Sequence, residues 1–167
     1  YRVDCDFLNM KEERAGRYTR VPIPAIAESC YTRNPAQPHA VMVWGDSHAQ
    51  QYNYGLAQSL PKDWQILQVA SSGCRPSLDT AGDPKTDYCV RSNRFALETV
   101  QSARPDVVFL AQMDKHDPAN LRRLAARLKE LGVKRVIVAG PVPRWQAALP
   151  MIIIRKHWDD PSVRSFG

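Results

Sequence analysis

The sequence lacks the patterns that mark several large functional classes. It contains no C-x-x-C pair, so a structural zinc site is not expected. No G-x-G-x-x-G motif follows its first apolar segment, which argues against a dinucleotide site. The late apolar run at 149–154 is far shorter than the roughly 20 residues that span a bilayer. Basic and aromatic residues do not form a joint cluster, and no finger, RNP or helix-turn-helix signature is present. We therefore expect no metal, no cofactor and no nucleic-acid partner.

The size and composition of the chain indicate one ordinary globular domain. It has 167 residues, of which 44% are hydrophobic and 24% are charged, and this is enough apolar material for a core. The formal net charge is +6 and the isoelectric point is about 9.3. A basic balance favours anionic partners. The basic residues are nevertheless scattered, which is typical of a solvated surface with a modest basic bias.

Four cysteines lie at long spacings, namely Cys5, Cys30, Cys74 and Cys89. An even number at such spacings suits two disulfides in an oxidising compartment. The alternative is four reduced, buried cysteines in a cytosolic protein. Spacing alone leaves three pairings open, of which the most local joins Cys5 to Cys30 and Cys74 to Cys89.

Short apolar runs alternate with helical patterns over most of the chain. Residues 1–39 and 71–88 are rich in turn-forming residues, and the first of these segments holds at most one short strand. Continuous apolar strands that alternate with amphipathic helices predict a parallel sheet covered on both faces, with the active site at the carboxyl ends of the strands. The predicted strands are 41–44, 64–70, 107–111 and 133–139, and the predicted helices are 48–60, 93–103 and 117–131.

The first strand is followed by Gly-Asp-Ser-His-Ala at positions 45–49. Gly45 permits a tight turn, and Ser47 then lies at a helix N-terminus, where free N–H groups and the helix dipole favour negative charge. Such a position suits a nucleophilic hydroxyl whose attack creates an oxyanion. The alternative is helix capping, because Asp and Ser are common N-cap residues.

Two further loops follow predicted strands and are expected at the same edge. Gly73, just past the second strand, can present its backbone N–H to an oxyanion, although a plain turn explains it as well. Gln112, after the third strand, has a side-chain amide that could donate to an oxyanion. His116 in the same loop is a base or, more simply, a surface residue.

The Gly-Asp-Ser-His-Ala segment, together with Gly-Cys-Arg-Pro at 73–76, resembles the SGNH (GDSL-like) domains fused to membrane acyltransferase-3 proteins. The resemblance covers most of residues 30–145. It implies a three-layer α/β/α sandwich that is flavodoxin-like, with a lead-in arm at 1–39 and the SGNH domain at 40–167. It also implies the Cys5–Cys30 and Cys74–Cys89 disulfides.

The activity implied by the resemblance is O-acetylation of a cell-surface polysaccharide, with the acyl donor delivered by the fused membrane domain. Ser47 is then the nucleophile, and the N–H groups of Ser47 and Gly73 form the oxyanion hole. Asp46 shapes the turn. The location implied is the periplasmic or extracellular face, tethered to the inner membrane.

The sequence departs from the family pattern in two places. Met113 stands where the family has an asparagine that donates to the oxyanion, so either the oxyanion hole is incomplete or Gln112 is the substitute donor. The family's D-x-x-H segment is also absent, because none of the four histidines has an aspartate three residues before it. We expect the base and its acid to lie in a C-terminal segment outside this chain, with His157 as the weaker alternative within it. The competing hypotheses are a secreted esterase of the same fold and a non-catalytic glycan-binding domain.

Overall fold

Four parallel strands form the centre of the computed structural model, which describes residues 2–141, 149–160 and 162. They are β1 (His39–Gly45), β2 (Trp64–Ala70), β3 (Val107–Ala111) and β4 (Arg135–Val138). Their spatial order is β2-β1-β3-β4, and each neighbouring pair is parallel. This is the beginning of the flavodoxin-like strand order, so the predicted α/β fold is confirmed.

Five helices flank or follow the strands in the described part of the chain. They are α1 (Met10–Arg14), α2 (Ser47–Ser59), α3 (Tyr88–Ala103), α4 (Pro118–Glu130) and α5 (Leu149–Lys156). Short 3-10 helices form at Val3–Cys5 and Glu28–Cys30. Within the described residues, no helix is long and apolar enough to cross a membrane.

The two faces of the sheet carry different layers because side chains alternate along a strand. On one face Met42 and Trp44 of β1 join a large core with residues of the arm, α3 and α4. On the other face Val43 joins a smaller cluster that includes Ala49, with Tyr52 and Leu56 of α2 packed against it. The sheet is therefore the middle of three layers.

The described part of the arm, residues 2–38, packs into the larger core. Its residues Phe7, Leu8 and Ile26 are buried with the strands, and the Phe7 ring meets that of Phe95 on α3 edge to face, at 5.3 Å between centroids. The disulfides join Cys5 to Cys30 and Cys74 to Cys89, which is the pairing that the resemblance implies. The short strand allowed for in the arm does not form in residues 2–38. That segment pairs with no strand and contains α1 and the two 3-10 helices instead.

Helix α3 begins five residues before the predicted start at 93. Asp87 caps it, because one carboxylate oxygen of Asp87 accepts from the N–H groups of Cys89 and Val90. The disulfide from Cys74 to Cys89 then fastens the preceding loop to the first turn of the helix. The sequence predicts loop up to residue 88 because a run of Gly, Pro and Asp precedes the N-cap.

Candidate active site

Three strands end at the same level, and this brings their loops together. Gly45, the last residue of β1, is paired with Ala70 at the end of β2 and with Ala111 at the end of β3. Adjacent strands in a sheet are about 4.8 Å apart. The loops that carry Ser47, Gly73 and Gln112 therefore leave neighbouring strands side by side, as the sequence predicts.

Gly45 is required at the end of β1 because no side chain fits there. A Cβ atom on Gly45 would lie 1.8 Å from the carbonyl oxygen of Ala111 and 2.8 Å from the Cβ of Ala49. Both distances are shorter than any van der Waals contact. The missing side chain allows α2 and β3 to approach the turn that carries Ser47.

The Asp46 carboxylate fixes this turn from both of its oxygens. Its Oδ1 accepts from the N–H of His48 at 2.8 Å, which caps α2. Its Oδ2 accepts from the N–H of Met113 at 2.7 Å. Asp46 is buried, with 3% of its surface exposed. These contacts suit the turn-shaping role predicted for Asp46, since they tie the start of α2 to the loop after β3.

Ser47 is the first residue of α2 and is half-buried. Among the described residues, none accepts a hydrogen bond from the Ser47 N–H, and none is bonded to its hydroxyl. The first N–H groups of a helix have no partner within it and carry partial positive charge. Ser47 therefore offers a hydroxyl and a backbone donor at one point.

The loop after β2 is a tight turn with Gly73 at its corner. The Cys74 N–H donates to the Ser71 carbonyl at 2.9 Å, and Gly73 has a φ of +76°, a left-handed conformation that favours glycine. A positive φ at only the third position identifies a type II turn. No described residue accepts from the Gly73 N–H, which leaves it available as a donor.

The loop after β3 uses its glutamine internally. Gln112 is buried, and its Nε2 donates to the carbonyls of Asp114 at 2.6 Å and Lys115 at 3.0 Å. To serve as the predicted oxyanion donor, this amide would have to give up one of the two bonds. The Met113 side chain is 37% exposed, and a thioether cannot donate a hydrogen bond.

The four histidines occupy different places. His39 starts β1, at the opposite edge of the sheet, with its Nδ1 3.7 Å from Asp106. His48 Nδ1 and His116 Nε2 are buried and have no hydrogen-bond partner within the described ranges. His157 follows α5 and is exposed. Two histidines thus have an unpartnered ring nitrogen, His48 in the first turn of α2 and His116 in the loop after β3.

A cavity of about 220 Å³ opens between the loops after β2 and β3. Its lining is polar, with cations from both loops and one carboxylate. It is formed by residues 75–77 together with Gln112, Lys115, Asp117 and Asn120. Arg75 and Asp114 face each other beside it, with Arg75 Nε 3.9 Å from Asp114 Oδ1. Such a mixture of donors and acceptors suits a hydroxylated ligand.

Three residues that the sequence did not single out support this edge of the sheet. Asp6 of the arm is fully buried, and its Oδ2 accepts from Gln50 Nε2 at 2.9 Å and from both the N–H and hydroxyl of Ser72. Gln50 Nε2 also donates to the Ala70 carbonyl at 2.7 Å. Tyr88 donates from its hydroxyl to the Ser72 carbonyl at 3.2 Å. No sequence motif marks Asp6, Gln50 or Tyr88, because their partners are distant along the chain.

One cluster in the described part of the chain has the spacing of metal ligands, formed by Asp4, Cys5 and Cys30. The two sulfurs are joined in a disulfide. A cysteine binds a metal ion as its thiolate, and neither sulfur here is one, so this cluster does not fit a metal ion.

Comparisons with known proteins identify the family and the fold. A family model described as the SGNH domain fused to AT3 domains matches residues 11–165. A solved structure titled as the periplasmic domain of a lipopolysaccharide acetyltransferase from Salmonella ser. Paratyphi A superposes with a TM-score of 0.63 at 24% identity. The alignment covers 75% of this chain and 52% of that one, so the chain spans about half the length of its neighbour. No curated protein sequence matches significantly.

Proposed function

The chain belongs to the family of SGNH domains that are fused to AT3 domains, and from this premise we propose that it transfers an acyl group through a serine acyl-enzyme. The acyl group is acetyl, and the acceptor is a hydroxyl of a cell-surface polysaccharide. Ser47 is the nucleophile. The N–H groups of Ser47 and Gly73 are the oxyanion donors, and Asp46 holds the turn.

The observation that carries the proposal is the meeting of three loops at Gly45. A nucleophilic serine needs a hydroxyl that no other residue engages and a nearby backbone donor in the same condition. Ser47 supplies both, and the loop with the unused Gly73 N–H leaves the strand adjacent to β1. A simple cap would not need a second such donor from the neighbouring loop.

The reaction proceeds in two steps, acylation of Ser47 and transfer of the acyl group to the sugar. The Ser47 oxygen attacks the acyl carbonyl, its proton passes to a histidine, and the carbonyl oxygen becomes an oxyanion held by the two N–H groups. The oxyanion collapses, and the donor's leaving group departs with the proton. A sugar hydroxyl then attacks the acyl-enzyme, its proton returns through the histidine, and Ser47 is regenerated with the sugar ester as product.

We place the base outside the four histidines of this chain, in the D-x-x-H segment of the family, with His157 as the weaker alternative. His48 and His116 each have an unpartnered ring nitrogen, but no described carboxylate accepts from either ring, and a catalytic histidine is normally oriented by such a group. Replacing each histidine by glutamine separately tests this assignment. Loss of acylation in one of these variants would move the base to that histidine.

The acyl donor is delivered by the fused membrane acyltransferase domain, and the reaction takes place on the periplasmic or extracellular face. The family description names the fusion to AT3 domains, and the neighbour's title describes a periplasmic domain. The two disulfides suit an oxidising compartment. Membrane-fraction analysis of the protein expressed with a periplasmic reporter fusion tests the placement.

Intact-mass spectrometry tests the serine mechanism. The protein, with the segment that carries the D-x-x-H motif included, is incubated with p-nitrophenyl acetate, and the mass increase of one acetyl group is located by peptide mapping. We expect the adduct on Ser47 and none in Ser47→Ala. Ser59→Ala is the matched control, because Ser59 is an exposed serine at the other end of the same helix. No adduct at position 47 in the wild-type protein would contradict the proposal.

A non-catalytic glycan-binding domain is the second candidate, favoured by two observations. Met113 cannot donate to an oxyanion, and the Gln112 amide is engaged within its loop. A binding domain predicts that glycan affinity is unchanged by Ser47→Ala and that no adduct forms. If an adduct does form, the yield of sugar ester relative to free acetate distinguishes a transferase from an esterase of the same fold.

A further inference from the structure

The direction of the Gly73 N–H is set by its peptide bond with Ser72. The described chain contains no cis peptide bond, and in a trans peptide the C=O and N–H groups point in opposite directions. Whatever holds the Ser72 carbonyl therefore also orients the Gly73 N–H. The use of that N–H as an oxyanion donor rests on the proposed function, but its orientation is a property of the loop.

Tyr88 holds the Ser72 carbonyl. Its hydroxyl donates to this oxygen at 3.2 Å, and its ring is buried at the start of α3. A Cβ atom on Gly73 would lie 3.7 Å from the Tyr88 oxygen, so the hydroxyl lies directly beside the turn. A type I turn differs from a type II turn mainly by reversal of this central peptide. The hydrogen bond from Tyr88 therefore favours the type II arrangement.

Asp6 holds the other side of Ser72. Its Oδ2 accepts from the Ser72 N–H at 3.1 Å and from the Ser72 hydroxyl at 2.8 Å. The same oxygen accepts from Gln50 on α2, and Oδ1 accepts from the N–H of Leu8. Asp6 is adjacent to Cys5, so the Cys5–Cys30 disulfide anchors the carboxylate to the domain.

We propose that Tyr88 and Asp6 are positioning residues that clamp Ser72 and thereby direct the Gly73 N–H toward the oxyanion site. The arm and α3 together preorganise the donor before substrate arrives. A donor with its direction already fixed stabilises the developing charge without a reorganisation cost during reaction.

The Tyr88 hydroxyl remains a donor over the physiological range. Burial, followed by a hydrogen bond with Tyr18, raises the pKa of Tyr88 well above its usual value. The phenol is thus protonated at neutral pH. Tyr18 belongs to the arm, so the arm supports the clamp through Tyr88 as well as through Asp6.

Tyr88→Phe and Asp6→Asn, each made in the protein that includes the D-x-x-H segment, test the clamp. Phenylalanine keeps the ring packing but removes the donor, and asparagine replaces one acceptor oxygen by an N–H2 group. We expect kcat for p-nitrophenyl acetate to fall roughly 10- to 100-fold in each variant, with KM nearly unchanged, because a misdirected donor affects the transition state. Tyr54→Phe is the matched control, since Tyr54 is 75% exposed on α2 and should retain wild-type kcat.

Crystal structures of the same variants separate the clamp from the proposed function. The clamp predicts that the Ser72–Gly73 peptide reverses or that Gly73 leaves its φ near +76° in Tyr88→Phe. A peptide that keeps its direction in both variants overturns the inference, whatever the activity. A lower melting temperature with unchanged kcat also overturns it, because that is the signature of a structural role. If the peptide reverses but wild-type protein forms no Ser47 adduct, the orientation stands and the proposed function fails.

Discussion

The two loops beside Ser47 are held in different ways. The loop after β2 is fixed from outside, by Asp6 and Tyr88 on Ser72, by the Phe7 N–H on the Ser71 hydroxyl, and by the disulfide of Cys74. The loop after β3 is fixed mainly from within, by the Gln112 side chain on two of its own carbonyls. Its link to the Ser47 turn is the bond from the Met113 N–H to Asp46.

From this difference we infer that the two loops have different roles in the proposed site. A loop held by two separate parts of the chain, the arm and α3, suits a donor whose position must not change. A loop that supports itself can change its side chains without disturbing its neighbours. Met113 lies in the second loop, where its exposed side chain leaves the backbone bond to Asp46 intact.

Gly45→Ala should have the largest effect, because it disrupts the junction that both loops share. The new Cβ would lie 1.8 Å from the Ala111 carbonyl oxygen. Because this oxygen belongs to the backbone of β3, relieving the clash requires a shift of the strand. We expect a loss of more than about 4 kcal/mol in the free energy of unfolding, measured by urea denaturation. Gly55→Ala is the control, since nothing lies within 4 Å of its new Cβ, and it should stabilise α2 by up to about 1 kcal/mol. Similar stabilities for the two variants would contradict the geometry.

Removing the disulfide that anchors the arm should loosen the loop after β2 more than the loop after β3. Replacing Cys5 and Cys30 by serine together removes a crosslink worth about 3 kcal/mol and loosens the anchor of Asp6. Hydrogen exchange should then accelerate at residues 71–74 more than at 112–117. Equal acceleration of hydrogen exchange in both segments would show that the arm does not stabilise the loop after β2 more than the loop after β3.

Strands β2 and β3 have the bounds that their apolar runs predict, and α4 differs by one residue at each end. Buried parallel strands are continuous apolar runs, and the proline at the start of α4 marks its first turn. Ser47, Gly73 and Gln112 were placed at one edge because carboxyl ends of parallel strands coincide. Asp6 and Tyr88 escaped prediction because their bonds to Ser72 cross 66 and 16 residues of sequence, and such long-range contacts leave no local pattern.

Gln112→Ala should disturb only the loop after β3. Two hydrogen bonds from a buried amide are lost, at a cost of about 1 kcal/mol each in the free energy of unfolding. If the amide only supports its loop, kcat for p-nitrophenyl acetate should fall less than the roughly 100-fold expected for loss of an oxyanion donor. A fall of that size with little loss of stability would instead assign Gln112 as a donor.

The smallest effect is expected from acid, through Asp87 at the start of α3. Burial raises the pKa of Asp87, but hydrogen bonds from Arg20 of the arm and from the N–H groups of Val90 and Cys89 outweigh it and lower the pKa below its ordinary value. A carboxyl with a lowered folded-state pKa contributes stability above about pH 4, and this contribution is lost as the pH falls through that pKa. Thermal melts from pH 6 to 2 should therefore show a shallower decline in Asp87→Asn. If the melting temperatures of the wild-type protein and Asp87→Asn fall in parallel with pH, Asp87 does not contribute to the acid sensitivity.

The structure of the protein after reaction with an alkyl fluorophosphonate tests the central claim most directly. Such a reagent leaves a tetrahedral phosphonate on an activated serine, and its oxygen occupies the place of the oxyanion. The account predicts phosphorus bonded to the Ser47 oxygen, with the phosphoryl oxygen about 3 Å from the N–H nitrogens of Ser47 and Gly73. A phosphonate on another residue, or an oxygen turned away from Gly73, would contradict it.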